Sequence, residues 1–144
     1  MPMREPYLSV TESQGRAFVA RAIRGPVTML DLLRFRAIAD YSADPTLAPP
    51  TPISGAAAFS RYIAHTLPHL RRSGGSIVAS YDGRAFLIGP EAERWDRVLL
   101  IRQASVDAFL AFARDEAYLA GLGHRTAALE DSRLLPLTES ARVG

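Results

Sequence analysis

Cysteine, lysine and asparagine occur nowhere in the 144 residues. Without cysteine there is no disulfide framework and no thiolate chemistry. The missing lysine excludes Schiff bases and a phosphate-loop lysine, and the missing asparagine excludes N-glycosylation. No apolar run approaches the roughly 20 residues of a membrane span, and Met1-Pro2-Met3-Arg4-Glu5-Pro6 lacks the apolar core of a signal peptide. A cytoplasmic protein is expected. All 17 cations are therefore arginines, balanced to a net charge of +2. They stand singly or in pairs such as Arg71-Arg72, in no RNA-binding or zinc-finger pattern, so neither nucleic acid nor membrane is an expected partner.

What is present suits one ordinary globular domain: 48% hydrophobic residues are enough for a core, and the length is too short for two. The organising stretch is Gly25 to Arg36, an apolar run of strand length with one acid, Asp31, in its middle. Ahead of it, Ser9 with Glu12 or Thr11 with Gln14 offers a capping box for a short helix ended by Gly25-Pro26. After it, Ile38 to Pro52 is rich in Pro, Asp, Ser and Thr and reads as a loop.

Ser54 caps a helix predicted over about 55–72, kinked by Pro68 and stopped by Gly74-Gly75. Strands are expected at 76–81 and 84–88 across an Asp82-Gly83 turn, and again over 95–103. Ser105 caps a helix bearing Phe109, Leu110 and Phe112, followed by a short helical piece over 115–122 and a last strand over about 132–137. After an N-terminal helical extension over 1–24, the order in 25–137 is βαββαβ, and 138–144 form a tail. That order specifies an α+β, ferredoxin-like antiparallel sheet with its helices on one face. Because both parities of the strands are apolar, the uncovered face is expected to pack against a second copy, giving a homodimer.

The pieces Gly25-Pro26-Val27-x-Met29-Leu30-Asp31-Leu32-Leu33-Arg34-Phe35-Arg36, Gly74-Gly75, Trp95-Asp96-Arg97-Val98, and Tyr118 followed by His124-Arg125-x-Ala127 resemble the domain of unknown function 1330 family. That family belongs to the dimeric α+β barrel superfamily. The resemblance covers about residues 25–137. It implies two ferredoxin-like sheets packed face to face, helices outside, and a small-molecule pocket between sheet and helices of each protomer. The superfamily holds cofactor-free monooxygenases, cyclases, isomerases, haem-degrading enzymes and proteins of no known activity, so function must be argued from the site. One departure stands out: the family usually carries an amide where this chain has Asp31. An amide donates and accepts, whereas an ionised carboxylate only accepts and can act as a base.

Asp31 shares its parity with Val27, Met29, Leu33 and Phe35, and it is either a proton acceptor or half of a buried ion pair. His124 and Arg125 are candidates for proton transfer and oxyanion stabilisation, with an Arg125 salt bridge to Asp31 or Asp96 as the competing explanation. Tyr62 and Tyr118 each offer a ring with a hydroxyl, either to a ligand or to the core. Trp95 and Asp96 must point to opposite faces, so only one can line a pocket. His65 and His69 have the spacing of two metal ligands on a helix, but there is no His-Glu-x-x-His pattern and no third ligand, so no metal site is assigned. No nicotinamide, flavin, ATP or calcium motif is present, and no cofactor is expected. The expectation is a homodimer holding an unidentified small molecule, either transforming it by acid/base or oxygen chemistry or simply binding it or a partner.

Overall fold

The structure, a computed structural model, describes residues 5–141. Most of the opening segment read for a leader, residues 1–4, and the end of the expected tail, 142–144, lie outside it. The elements run α1 Glu12–Ala20, β1 Val27–Phe35, α2 Gly55–Arg72, β2 Ser76–Asp82, β3 Arg97–Gln103, α3 Val106–Arg114, α4 Glu116–Leu119, α5 Leu122–Ala128 and β4 Leu129–Leu137. The four strands form one sheet in the order β2-β3-β1-β4, every neighbour antiparallel. With α2 and the α3–α5 run as the two crossovers, this is the ferredoxin-like arrangement.

Sequence chemistry sets the helix starts. Thr11 Oγ1 accepts from Gln14 N–H at 3.1 Å, Ser54 Oγ from Ala57 N–H at 3.0 Å, and Ser105 Oγ from Ala108 N–H at 3.0 Å. Of the two expected boxes at α1, Thr11 with Gln14 is the one that forms. The helix stops at Ala20, before Gly25-Pro26, because Ala22 takes a left-handed conformation with φ of 49°. The α2 helix continues past Pro68 to Arg72, and the 38–52 loop holds one 3₁₀ turn, Pro45–Leu47.

The face of β1 with Val27, Met29, Asp31 and Leu33 is buried beneath the helices. There Leu33, Phe59, Tyr62, Leu70, Leu99, Phe112, Tyr118 and Leu129 form the core cluster, in which a fully buried Phe or Leu contributes about 2 kcal/mol of transfer free energy. The opposite parity, Leu30 and Leu32 with Val98 and Leu100 of β3 and Leu135 of β4, forms the outward face.

Two expected elements differ from the structure. Residues 84–88 are not a strand: beyond β2 only one isolated bridge, Ala85 to Arg94, continues the pairing. Gly89, at φ of 152°, and Pro90, with no N–H to donate, prevent a ladder from extending. Residues 83–96 instead form a projecting arm with Phe86, Leu87 and Ile88 at its tip. The second difference is α5, which occupies the stretch read as a connection, so that β4 starts at Leu129 rather than Ser132. Gly121 is not a chain breaker there. It permits close approach, because a Cβ at this position would collide with the His65 ring of α2.

Candidate functional site: a buried carboxylate with its arginine

Asp31 sits mid-strand, paired across to Leu99 of β3 and Leu134 of β4, with only 5% of its surface exposed. Beta pairing satisfies its backbone but leaves its carboxylate in an apolar layer. The nearest cation is Arg125 of α5, whose Nη2 lies 3.6 Å from Asp31 Oδ1. At that length the contact is an ion pair rather than a hydrogen bond, and Oδ1 has no hydrogen-bond partner among the described residues. Burial raises the Asp31 pKa from 3.8 to about 6, against the opposing pull of the Arg125 charge.

Arg125 is held from three sides. Its Nη1 donates to Leu8 O at 2.9 Å and its Nη2 to Ser132 Oγ at 3.3 Å, besides facing Asp31. The Leu8 contact ties the N-terminal segment to the site. Tyr7 N–H donates to Asp131 Oδ1 at 2.8 Å, and Ser132 Oγ donates to Tyr7 O, completing that attachment.

Tyr62 of α2 and Tyr118 of α4 join the cluster, their hydroxyl oxygens 2.7 Å apart. Both hydroxyls are pushed above the ordinary tyrosine range, chiefly by burial, and the charges of Arg125 and Asp31 act on both. They stay protonated at neutral pH. Since one hydroxyl donates to the other, one O–H of the pair is free for a further acceptor.

The structure thus brings together Asp31, Arg125, Tyr62 and Tyr118, and it separates the other three candidates from them. His124 turns the other way from its neighbour Arg125: Nδ1 lies 2.8 Å from the Tyr41 hydroxyl in the long loop, and the two rings meet edge to face. Burial, Arg61 and His65 lower its pKa, so the imidazole is neutral at pH 7. Trp95 is buried between the guanidiniums of Arg34 and Arg133, 5.6 and 5.0 Å from its ring, on the outward side of the sheet. Asp96 Oδ2 accepts from Phe35 N–H at 2.8 Å, where a bulge between Arg34 and Phe35 interrupts the β1–β4 register, and its Oδ1 faces Arg94. Both of these residues are occupied by the sheet's end.

His65 and His69 share a face of α2, ring centroids 5.1 Å apart. His65 Nε2 lies 2.7 Å from Ala117 O, to which its N–H donates, and His69 Nδ1 accepts from Arg72. Among the described residues no three of His, Asp and Glu gather in a metal-holding group, and no helix is long and apolar enough to cross a membrane.

Sequence reasoning missed Ser132, the Leu8 carbonyl and Tyr41. Nothing local to residue 125 signals a partner at residue 8, and the loop holding Tyr41 carries no motif directed at His124. An apolar cleft of about 260 Å³ lies elsewhere, bounded by Phe59, Ile63, Ile77 and Leu99 with Ser60, Ser80 and Arg97 at its edge.

No protein-family profile matches the chain, and no curated protein does either. Among solved structures, the methylated RPA0582 protein is 34% identical over 95% of this chain and 97% of its own, with a TM-score of 0.84. A second structure of RPA0582, a protein of unknown function from Rhodopseudomonas palustris, is likewise 34% identical over 95% and 99%, at 0.81. Such identity over almost the whole of both chains goes beyond a shared topology: this chain belongs to the same family as the Rhodopseudomonas palustris RPA0582 protein.

Proposed function

We propose that this protein is a cytoplasmic homodimer that binds a small organic molecule at the Asp31–Arg125 cluster and takes a proton from it without a cofactor. The same reading keeps it, on the strength of its motifs, near the domain of unknown function 1330 family. The carrying observation is the Asp31 carboxyl: buried, with a pKa of about 6 and an oxygen lacking a hydrogen bond, beside a fixed guanidinium. A base of that pKa is mostly ionised at neutral pH yet close enough to it to exchange protons effectively. For a C–H next to a carbonyl, the proton passes to the Asp31 carboxylate and the bonding pair moves onto the carbonyl oxygen. Arg125 and the free O–H of the tyrosine pair stabilise the negative charge that develops there. The apolar outward face, with Leu30, Leu32, Val98, Leu100 and Leu135, supports pairing with a second copy.

A second reading has its own observation: the Arg125 donors are already used by Leu8 O and Ser132 Oγ, which suits a structural pair in a non-catalytic binding dimer. Native mass spectrometry of freshly purified protein separates the two. The catalytic-site reading expects a dimer with a co-purified small molecule that is lost in Asp31→Asn and Arg125→Ala while the dimer persists. A ligand-free wild-type spectrum, leaving nothing for either variant to lose, would favour the structural pair.

A further inference from the structure

The arm over 83–96 exposes three consecutive apolar side chains: Phe86 at 44%, Leu87 at 100% and Ile88 at 92% of their surface. It is nonetheless braced. Gly83 N–H donates to Asp96 O at 3.0 Å and Trp95 N–H to Arg84 O at 3.1 Å. The Ala85–Arg94 bridge lies beyond them, and Phe86 packs on Gly89, where a Cβ would fall 2.8 Å from its ring. An ordered arm that ends in a fully wetted Leu-Ile pair marks a contact surface.

The occupant follows from where the arm grows. It continues β2 and β3 past Asp82 and Arg97, whose outward neighbours Tyr81 and Val98 belong to the uncovered apolar face. From that last pair to Leu87 is five residues, about 16 Å of extended chain, more than the ~10 Å between packed sheets. A face-to-face pair related by a two-fold axis perpendicular to the strands lays the arm end of one sheet over the far end of the other. At that far end, on the outward parity, stand Thr28, Leu137 and the exposed Arg102. Beside the tip stands the exposed Glu91, and among the described residues neither Arg102 nor Glu91 is in an ion pair. We infer that the arm is a clasp for a second copy of this chain, closing Leu87 and Ile88 over the far end of the other sheet and setting Glu91 against Arg102 of the second copy. This rests on the homodimer proposed above and names the segment that locks it.

Sedimentation equilibrium of the full chain tests it. Leu87→Ser with Ile88→Ser is expected to raise the dimer dissociation constant at least tenfold with the circular dichroism spectrum unchanged. Glu91→Arg and Arg102→Glu are each expected to weaken the dimer several-fold, and the double reversal to restore it, a rescue that only a self-contact produces. Because the sequence has no cysteine, Ile88→Cys provides a unique labelling site, and an environment-sensitive fluorophore there is expected to shift to the blue as protomers associate. A wild-type dimer with all these variants within twofold of it and an unshifted label would overturn the clasp while sparing the homodimer. A wild-type monomer at all concentrations would overturn both.

Discussion

Replacing Asp31 by Asn isolates the cost of keeping a carboxylate in this core. The folded pKa of about 6 lies above the unfolded 3.8, so between those values the folded protein binds more protons than the unfolded chain. Stability from this group is fully present below about pH 4 and is lost as pH rises through 6. A shift of that size corresponds to about 3 kcal/mol. The amide of the Asp31→Asn variant does not titrate, and Arg125 stays charged throughout, so whatever Arg125 loses with its counter-charge is the same at every pH. The stability difference between variant and wild type should therefore move toward the variant by about 2 kcal/mol from pH 4 to pH 7.5, the unfolded carboxyl being already half ionised at the lower value. Urea unfolding followed by circular dichroism at fixed protomer concentration reads this as a change of about 1–2 M in the separation of the two midpoints. Midpoint separations that stay constant across the range would mean that Arg125 compensates burial completely and that Asp31 is an ordinary acid.

Arg125→Ala should cost about 3–5 kcal/mol at pH 7.5, because it leaves a buried carboxylate without its cation, and less at pH 4, where Asp31 is protonated; thermal unfolding at both values checks the order. Either Tyr62→Phe or Tyr118→Phe should cost about 1–3 kcal/mol by stranding the remaining hydroxyl, and the double variant less than the sum, which a double-mutant cycle would show. Gly121→Ala should destabilise by about 1–3 kcal/mol, since its methyl group displaces the His65 ring, and the loss should largely vanish in a His65→Ala background. His124 should titrate below the usual histidine range by NMR, owing to burial and the charges of Arg61 and His65; its contribution to stability is present at neutral pH and lost on acidification.

The parts legible in the sequence were those with a local signature. The alternation through β1 grouped Asp31 with Val27, Met29 and Leu33, and Ser54 and Ser105 marked the starts of α2 and α3 through their hydroxyls. Local signatures also misled. The helical piece read over 115–122 was expected to give way to a connection, whereas α5 follows, packed close because Gly121 leaves room for the His65 ring 56 residues away in the chain. Arg84 to Ile88 has a strand's residues, but Gly89 and Pro90 deny it a partner. The Arg125–Asp31 contact was one of two alternatives the residue types allowed. Its choice over Asp96 depended on α5, the helix that local reading missed, and the fastening of Arg125 to Leu8 O spans 117 residues.

The same buried acid bears on how β1 keeps its place. Both parities of this strand are apolar, so a one-residue slip would exchange Leu30 and Leu32 for Met29 and Leu33 at little hydrophobic cost. It would also free Asp31 from the core. What opposes the slip is polar: Asp31 would leave Arg125, Phe35 N–H would lose the Asp96 carboxylate, and Arg34 would be drawn away from Glu130 and Asp131 into the apolar layer. An amide at position 31 could also mark the register by hydrogen bonding, without the cost of a charge above pH 6. A carboxylate there costs about 3 kcal/mol at neutral pH. In return it supplies two things an amide cannot, a proton acceptor and a counter-charge for Arg125. On the function proposed above, the proton acceptor is the part that Asp31 alone supplies, since Leu8 O and Ser132 Oγ also anchor Arg125.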